Sequence, residues 1–239
     1  MKEQVSAIVL AAGQGKRMNS QVQKQFMLLQ NKPVLYYSLK CFQECEEIQR
    51  IILVTGENEI KYCKKDIVDA YGFDKVTNVV AGGKERYDSV EQGLHCIEDG
   101  IVLIHDGVRP LINSELLSKN IACVKQFGSS ITSAIVKETI VEILDDGEIK
   151  NVPDRAHSRV AKAPQCFWLN DILETHEKAL AEGKKDFIDS CSMMQYYGYR
   201  LHMTDGPYEN IKITTPDDFY TMRAILQVKE DAQIYGLEG

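Results

Sequence analysis

The stretch Val5-Ser6-Ala7-Ile8-Val9-Leu10-Ala11-Ala12-Gly13-Gln14-Gly15-Lys16-Arg17-Met18 decides the fold of this chain. The apolar run Val5–Ala12 is short and rich in Val and Ile, which suits a strand buried on both faces in a parallel sheet. It breaks into Gly13 and Gly15 and then a basic pair. The glycines carry no side chain, so backbone N–H groups there can approach an anion closely. Lys16 and Arg17 follow, and Lys24 comes seven residues after Arg17 in Gln23-Lys24-Gln25-Phe26. Bare amides with clustered cations are what a polyphosphate needs; a tight glycine turn after a core strand is the structural alternative. Two common phosphate loops do not fit. A Walker loop requires Ser or Thr after its Lys, where this chain has Arg17, and a dinucleotide fingerprint requires a third glycine, where it has Met18.

Outward from the loop, apolar β-type runs alternate with helical patterns. Strands are predicted over Val5–Ala11, Arg50–Thr55, Val76–Ala81, Ile101–His105 and Ile131–Val136, with helices over Pro33–Phe42, Glu59–Tyr71, Glu85–Ile97 and Ser114–Phe127. Pro33 suits a first helical turn and Ser114 can cap the fourth helix. This rhythm predicts an α/β fold, a doubly wound and mostly parallel sheet with helices on both faces. Ligands sit beyond the carboxyl ends of such strands, where the glycine loop and Asp106 both fall.

After Val136 the pattern changes. Glu138–Ala161 is polar and turn-rich, and Asp145-Asp146-Gly147 between alternating runs at 139–143 and 148–152 predicts a protruding hairpin. It is either a solvated excursion or, given its Ile and Val, a partner surface. Helices are expected over Leu169–Ala181, Asp189–Tyr197 and Pro216–Lys229, and strands over Tyr199–Met203 and Asn210–Thr214. The organisation is one domain over 1–230 with a β-arm at about 138–161, then a tail at 231–239 that ends a helix and frays.

The chain has 239 residues, 44% hydrophobic and 26% charged, ordinary for a soluble α/β domain. A net charge of −7 argues against a nucleic-acid binder. Residues 1–40 nevertheless hold six basic residues against Glu3 alone, a local +5 that leaves −12 on the other 199 and suggests an anion site. The seven cysteines are odd in number and form no Cys-x-x-Cys pair, so reduced core thiols and a cytoplasmic location are expected. Val5–Ala12 is too short and wrongly flanked for a signal-peptide core, and no segment approaches membrane-spanning length.

Further motifs follow in order: Gly82-Gly83-Lys84-Glu85-Arg86-Tyr87-Asp88-Ser89-Val90, His105-Asp106-Gly107-Val108-Arg109-Pro110, Ala163-Pro164-Gln165 and Asn210-Ile211-Lys212-Ile213-Thr214-Thr215-Pro216. With the first loop, this series resembles the sugar-nucleotide pyrophosphorylases, and within them the cytidylyltransferases of methylerythritol 4-phosphate and ribitol 5-phosphate, from about Val5 to Phe219. The resemblance implies a Rossmann-like domain, CTP and a polyol phosphate as substrates, no membrane partner, and a homodimer whose β-arm reaches the neighbouring active site.

Nucleotidyl transfer is governed by positioning and charge neutralisation, usually with Mg²⁺. Arg17 and Lys24 would bind the triphosphate and stabilise charge at the α-phosphate; otherwise they are solvated loop cations. Ala11, Ala12, Gly13 and Gly15 would line the nucleotide through their backbone. Asp106, at a strand end before Gly107, is a natural Mg²⁺ and nucleotide or substrate ligand, with a turn-capping aspartate as the alternative. His105 reads as structural, and Arg109 would meet the substrate's phosphate or hydroxyls. By resemblance, Gly82, Gly83, Arg86 and Ser89 read cytosine, Lys212 is an active-site cation rather than a solvated strand residue, and Thr139 and Arg155 hold the acceptor phosphate across the dimer.

Methylerythritol-type enzymes show D-T-[IM]-K in the arm, T-P-Q after it and T-D-[DE]-A later. Here those positions read Glu138-Thr139-Ile140-Val141, Ala163-Pro164-Gln165 and Ile188-Asp189-Ser190-Cys191. These, with Val152-Pro153-Asp154-Arg155-Ala156-His157, are closer to the ribitol-phosphate enzymes. The expected acceptor is therefore D-ribitol 5-phosphate, with 2-C-methyl-D-erythritol 4-phosphate as the alternative. A hexose-1-phosphate uridylyl- or guanylyltransferase and a nucleotide-binding regulatory module are the remaining readings.

Overall fold

Strand β1 (Val5–Ala11) lies inside a seven-stranded sheet, which is why its sequence is apolar almost throughout. The computed structural model describes residues 3–18, 20 and 22–235. A short ladder of β2 (Leu28–Leu29) and β3 (Lys32–Pro33) leads into α1 (Val34–Glu44), followed by β4 (Arg50–Thr55). Helix α2 (Ile60–Tyr62) continues as a π-helical stretch over Cys63–Asp69 into β5 (Val76–Ala81). Then come α3 (Arg86–Leu94), β6 (Ile101–Asp106), α4 (Ser114–Phe127) and β7 (Ser129–Ile135). A hairpin of β8 (Glu142–Ile143) and β9 (Ile149–Asn151) precedes the long β10 (Arg159–Trp168). The chain ends with α5 (Leu169–Ala181), α6 (Ser190–Tyr196), β11 (Met203–Asp205) and α7 (Pro216–Tyr235).

The sheet order is β11-β7-β10-β6-β1-β4-β5, and β10 alone runs antiparallel to its neighbours. Leu10 of β1 pairs with Asp106 of β6, and Ala11 with Thr55 of β4, so the glycine loop and Asp106 leave the sheet side by side. Period-two alternation splits the apolar residues between two cores. Ala7, Val9, Leu53 and Leu103 face the side of α1 and α4, while Ile8, Ile52, Val54 and Ile104 face α3 and α5. Each fully buried Ile or Leu contributes about 1.5–3 kcal/mol. A smaller third cluster, with Met18, Leu29, Val108, Ile213 and Met222, fastens the chain before and within α7 against the glycine-loop side.

Strands Val5–Ala11, Arg50–Thr55 and Val76–Ala81 keep their expected bounds, Ile101–His105 extends to Asp106, Ile131–Val136 shifts to Ser129–Ile135, and others need correction. The segment Tyr199–Met203 is not the strand; pairing with β7 begins only at Met203. Asn210–Thr214 forms no strand, because its N–H groups turn to local carbonyls and to Val108: Asn210 N donates to Pro207 O at 3.2 Å and Ile213 N to Val108 O at 3.0 Å. The α4 cap is Asn113 rather than Ser114, its side chain accepting from Leu116 N at 2.8 Å. Helix α7 passes Lys229 and reaches Tyr235, and the remainder of the expected tail, 236–239, lies outside the described residues.

Candidate active site

At the carboxyl rim of the sheet, a cleft of about 190 Å³ opens between the glycine loop, the start of α3 and the segment before α7. Ala11, Ala12 and Gly13 form one wall, and Gly83, Arg86 and Ser89 the other. Lys24, Asp106 and Lys212 line the same space.

The glycine loop is held by a residue that the sequence reading did not single out. Gln25 is buried, and its side-chain amide donates to Ala11 O at 2.7 Å, to Gln23 Oε1 at 2.6 Å and, more weakly, to Gly13 O at 3.2 Å. Gln23 in turn donates to Glu59 at 2.7 Å. Leaving the buried Ala11 carbonyl without its donor would cost about 1–3 kcal/mol, and the exposed Gly13 carbonyl adds little because water can replace the bond. The signal was present as a lone Gln between Lys24 and Phe26 in a quoted motif. Gly15 adopts φ +65° and its carbonyl accepts from Met18 N at 2.8 Å, turning the chain so that the Lys24 stem passes beneath it. Arg17, on the short 3₁₀ turn Lys16–Met18, is exposed and does not line the cleft, though its charge is felt at Lys24.

The opposite wall depends on close approach. A Cβ at Gly82 would lie 2.6 Å from both the Ala12 methyl and Ser89 Oγ, so Gly82 lets the two walls meet. Ser89 Oγ accepts from Gly83 N at 3.2 Å and donates to Glu85 O at 3.1 Å, which orders the loop from within. Glu85 and Asp88 form a capping box that starts α3 and leaves Arg86 aimed at the cleft.

Asp106 is the electrostatic hub. Its side chain receives Arg109 Nε at 2.9 Å and Lys212 Nζ at 3.2 Å, and Arg86 Nε stands 3.8 Å away. Burial alone would raise the Asp106 pKa, but Lys212, then Arg86 and Arg109, hold the carboxyl well below the usual range. Arg109 also donates to Asn210 O at 3.0 Å, so it sits behind the cleft as a brace. Burial and the facing Lys212 ammonium lower the Lys24 pKa. Among the described residues no carboxylate lies within salt-bridge distance of Lys24, which leaves its charge available to an anion. Burial pushes His105 down to about 4, and its neutral ring meets Arg109 O at 3.2 Å, so Nε2 carries the proton and supports the Asp106–Arg109 turn.

Lys212 comes from a loop, and Ile213 beside it is fully buried. The loop is closed by Asp218, which accepts from Thr214 N and Thr215 N, both at 2.8 Å. Thr215-Pro216-Asp217-Asp218 is thus a Thr-x-x-Asp capping pattern with Pro at the first helical position, a signal legible in the sequence but not used. Gln165 joins two motifs quoted separately, donating to Asp189 at 2.7 Å and accepting from Cys191 N at 2.9 Å. Thr139 and Arg155 are exposed on the arm and do not line the cleft of their own chain; Arg155 donates to Lys137 O at 3.4 Å.

An anion-binding cleft built at the carboxyl rim of a parallel sheet, with a strand-end carboxylate among cations, has the form of a nucleotidyltransferase site. The comparison with known proteins is narrower: the profile of the 2-C-methyl-D-erythritol 4-phosphate cytidylyltransferase (IspD) family matches residues 5–228, and the chain belongs to that family. It is a nucleotidyltransferase enzyme. A ribitol-5-phosphate cytidylyltransferase of Streptococcus agalactiae is 43% identical over 236 residues, 96% of this chain and 98% of its own. A 2-C-methyl-D-erythritol 4-phosphate cytidylyltransferase of Clostridium novyi is 43% identical over 222 residues, covering 92% and 96%. The crystal structure of 4-diphosphocytidyl-2C-methyl-D-erythritol synthase from Anaerococcus prevotii superposes with a TM-score of 0.82 at 30% identity, covering 95% of this chain and all of that one.

Proposed function

We propose that the chain transfers the cytidylyl group of CTP to the phosphate of D-ribitol 5-phosphate. A phosphate oxygen of the acceptor attacks the α-phosphorus of CTP, the bond from that phosphorus to the bridging oxygen breaks, and pyrophosphate leaves with CDP-ribitol as the other product. The observation that carries the transfer is Lys24 and Lys212 lining one cleft around Asp106. Lys24, helped by the nearby exposed charge of Arg17, would take the leaving phosphates, and Lys212 the charge that develops at the α-phosphate. The Gly82–Ser89 loop would hold the cytosine.

No cluster of three metal-binding side chains occurs among the described residues, and Asp106 is the buried carboxylate of the cleft. One carboxylate is within what Mg²⁺ uses, since it binds through one or two carboxylates and otherwise through phosphate oxygens and water, but both Asp106 oxygens already face Arg109 and Lys212, so the ion would have to share Asp106 with them. Bound at Asp106, Mg²⁺ would supply further neutralisation of the triphosphate.

The arm supports a homodimer in which Thr139 and Arg155 serve the neighbour's acceptor. Ile143, Ile149 and Val152 are 63%, 58% and 54% exposed, more apolar surface than a free hairpin should leave in water. The seven cysteines are all free thiols, which accords with a reducing cytoplasm, and no described helix is long and apolar enough to cross a membrane.

Ribitol 5-phosphate is favoured by the arm sequence around Thr139 and Arg155 and by relatives of that name, such as one from Streptococcus agalactiae. Methylerythritol 4-phosphate is the second reading, favoured by the family profile and the Clostridium relative. The test is pyrophosphate release with CTP and Mg²⁺ across ribitol 5-phosphate, methylerythritol 4-phosphate, and xylitol and glycerol phosphates. The highest kcat/KM is expected with ribitol 5-phosphate. A higher value with methylerythritol 4-phosphate selects the second reading, and a preference for UTP or GTP over CTP refutes both.

A further inference from the structure

Lys162 is a lysine that the transfer chemistry leaves unused. It lies in β10 within the register shift between Ala161 and Gln165 and is only 7% exposed. Its Nζ donates to the Tyr208 carbonyl at 2.6 Å and stands 5.1 Å from the centre of the Tyr208 ring. Burying an ammonium is costly, and an unbranched apolar side chain would fill the same space without that cost. What the ammonium adds at this position is its hold on the Tyr208 carbonyl.

That carbonyl begins the turn leading to Lys212. The next residue of β10, Ala163, accepts from Asn210 Nδ2 at 2.7 Å, and Arg109 takes Asn210 O at 3.0 Å. Lys212 follows, 3.2 Å from Asp106. Lys137 Nζ also lies against the ring, 3.6 Å from its centre, and the Lys137 carbonyl accepts from Arg155. Tyr208 is therefore gripped by two lysines, one where the chain departs for the arm and one on the strand by which it returns.

We propose that Lys162 is a positioning residue: by holding the Tyr208 carbonyl it fixes the turn that presents Lys212 to Asp106, and through Tyr208 it links the root of the arm to the reacting end of the cleft. This rests on the nucleotidyl-transfer reading above, with Lys212 as the group that is positioned.

The test uses the full chain with CTP, Mg²⁺ and whichever polyol phosphate the wild type accepts. Lys162→Met is expected to lower kcat at least tenfold with the KM for CTP within twofold, and Lys162→Arg to return kcat to within threefold of wild type. In a Lys212→Ala background, Lys162→Met should cost less than a further twofold, because its effect passes through Lys212. A Lys162→Met kcat within twofold of wild type overturns the proposal, as does a full second loss in the Lys212→Ala background. If Lys162→Met does not fold by circular dichroism, Lys162→Gln is read through the same double-variant cycle. A wild type that releases no pyrophosphate from CTP with any polyol phosphate refutes the functional reading instead, whereas a variant-to-wild-type ratio near one refutes only this proposal.

Discussion

Replacing Asp106 with Asn removes one charge from the centre of the cleft while keeping its shape, and the structure sets the size of the effect. Arg109, Lys212 and Arg86 stand 2.9, 3.2 and 3.8 Å from the carboxylate. At an effective dielectric of 20 each attraction is about 4–6 kcal/mol before the cost of burying the carboxylate is subtracted. Removing one partner of a buried pair costs about 3–5 kcal/mol. The side chains of Lys212 and Arg86 keep 36% and 25% of their surface in solvent, which softens their repulsion to an expected loss of about 2–4 kcal/mol. For a domain of this size that is a fall in Tm of roughly 5–15 °C. Saturating CTP should narrow the gap between variant and wild type, because the triphosphate supplies the missing negative charge. Turnover should fall by about 10²–10³, the range for losing one preorganised electrostatic group. Differential scanning fluorimetry with and without CTP, paired with pyrophosphate release, reads both numbers. An Asp106→Asn protein with wild-type Tm and turnover within about threefold of wild type would mean that the cluster around Asp106 neither stabilises the rim nor serves the reaction.

Gln25→Glu replaces the donor that holds Ala11 O and Gly13 O with an acceptor, so a stability loss of about 1–3 kcal/mol and a raised KM for CTP are expected, and an unchanged KM would detach Gln25 from the loop's role. His105 and His176 are both pushed by burial to about 4, so the folded state takes up their protons later than the unfolded chain does. Their stabilising share is complete above pH 6.5 and is lost as pH falls from 6.5 to 4, about 3 kcal/mol for each; urea midpoints that stay flat between pH 7 and 4.5 would contradict this. If arms are exchanged, mixing Arg155→Ala with Lys212→Ala, each strongly impaired alone but with measurable residual turnover, should restore about a quarter of wild-type activity, since half the dimers are mixed and each holds one intact site. No recovery after confirmed subunit exchange would confine both residues to one subunit's site.

The nucleotide half of the molecule was legible because its inner strands, β1 and β4, are buried on two faces, while the half-exposed edge strand β5 is bounded by Gly72 and Gly82. Val5–Ala11, Arg50–Thr55 and Val76–Ala81 carry apolar runs between glycine-rich turns, and the structure keeps those bounds. Strand β10 was not legible. Its first three residues are exposed, and Lys162 and Pro164 interrupt the buried stretch that follows, so no apolar run or period of two shows. Asn210–Thr214 shows the opposite failure: Ile211 and Ile213 alternate as in a strand, yet their partners are a helix and a loop rather than a neighbouring strand. At the site, Asp106 and the glycine loop announced themselves by chain position. The 3.2 Å contact between Lys212 and Asp106 could not be read, because it joins residues 106 positions apart through a loop whose path is set by packing. Gln25 escaped notice for a related reason: its role is to satisfy carbonyls that only the folded loop exposes.

The arm leaves the sheet from β7 and returns on β10, and those two strands are direct neighbours, with Ile135 opposite Arg159. The inserted segment therefore begins and ends at points that the sheet already holds together. Changing its length or sequence adds little to the entropy of closing the loop, since that cost grows only with the logarithm of loop length. The residues that line the cleft stand on or beside β1, α3 and β6 and on the loop before α7, and none of them belongs to the arm. The fold thus separates inheritance from novelty: one half of the reaction can stay fixed while the other is exchanged as a cassette, and a chimera that keeps Lys137 at the arm's root and carries residues 138–158 of a relative should fold on the same frame and change its choice of acceptor alone.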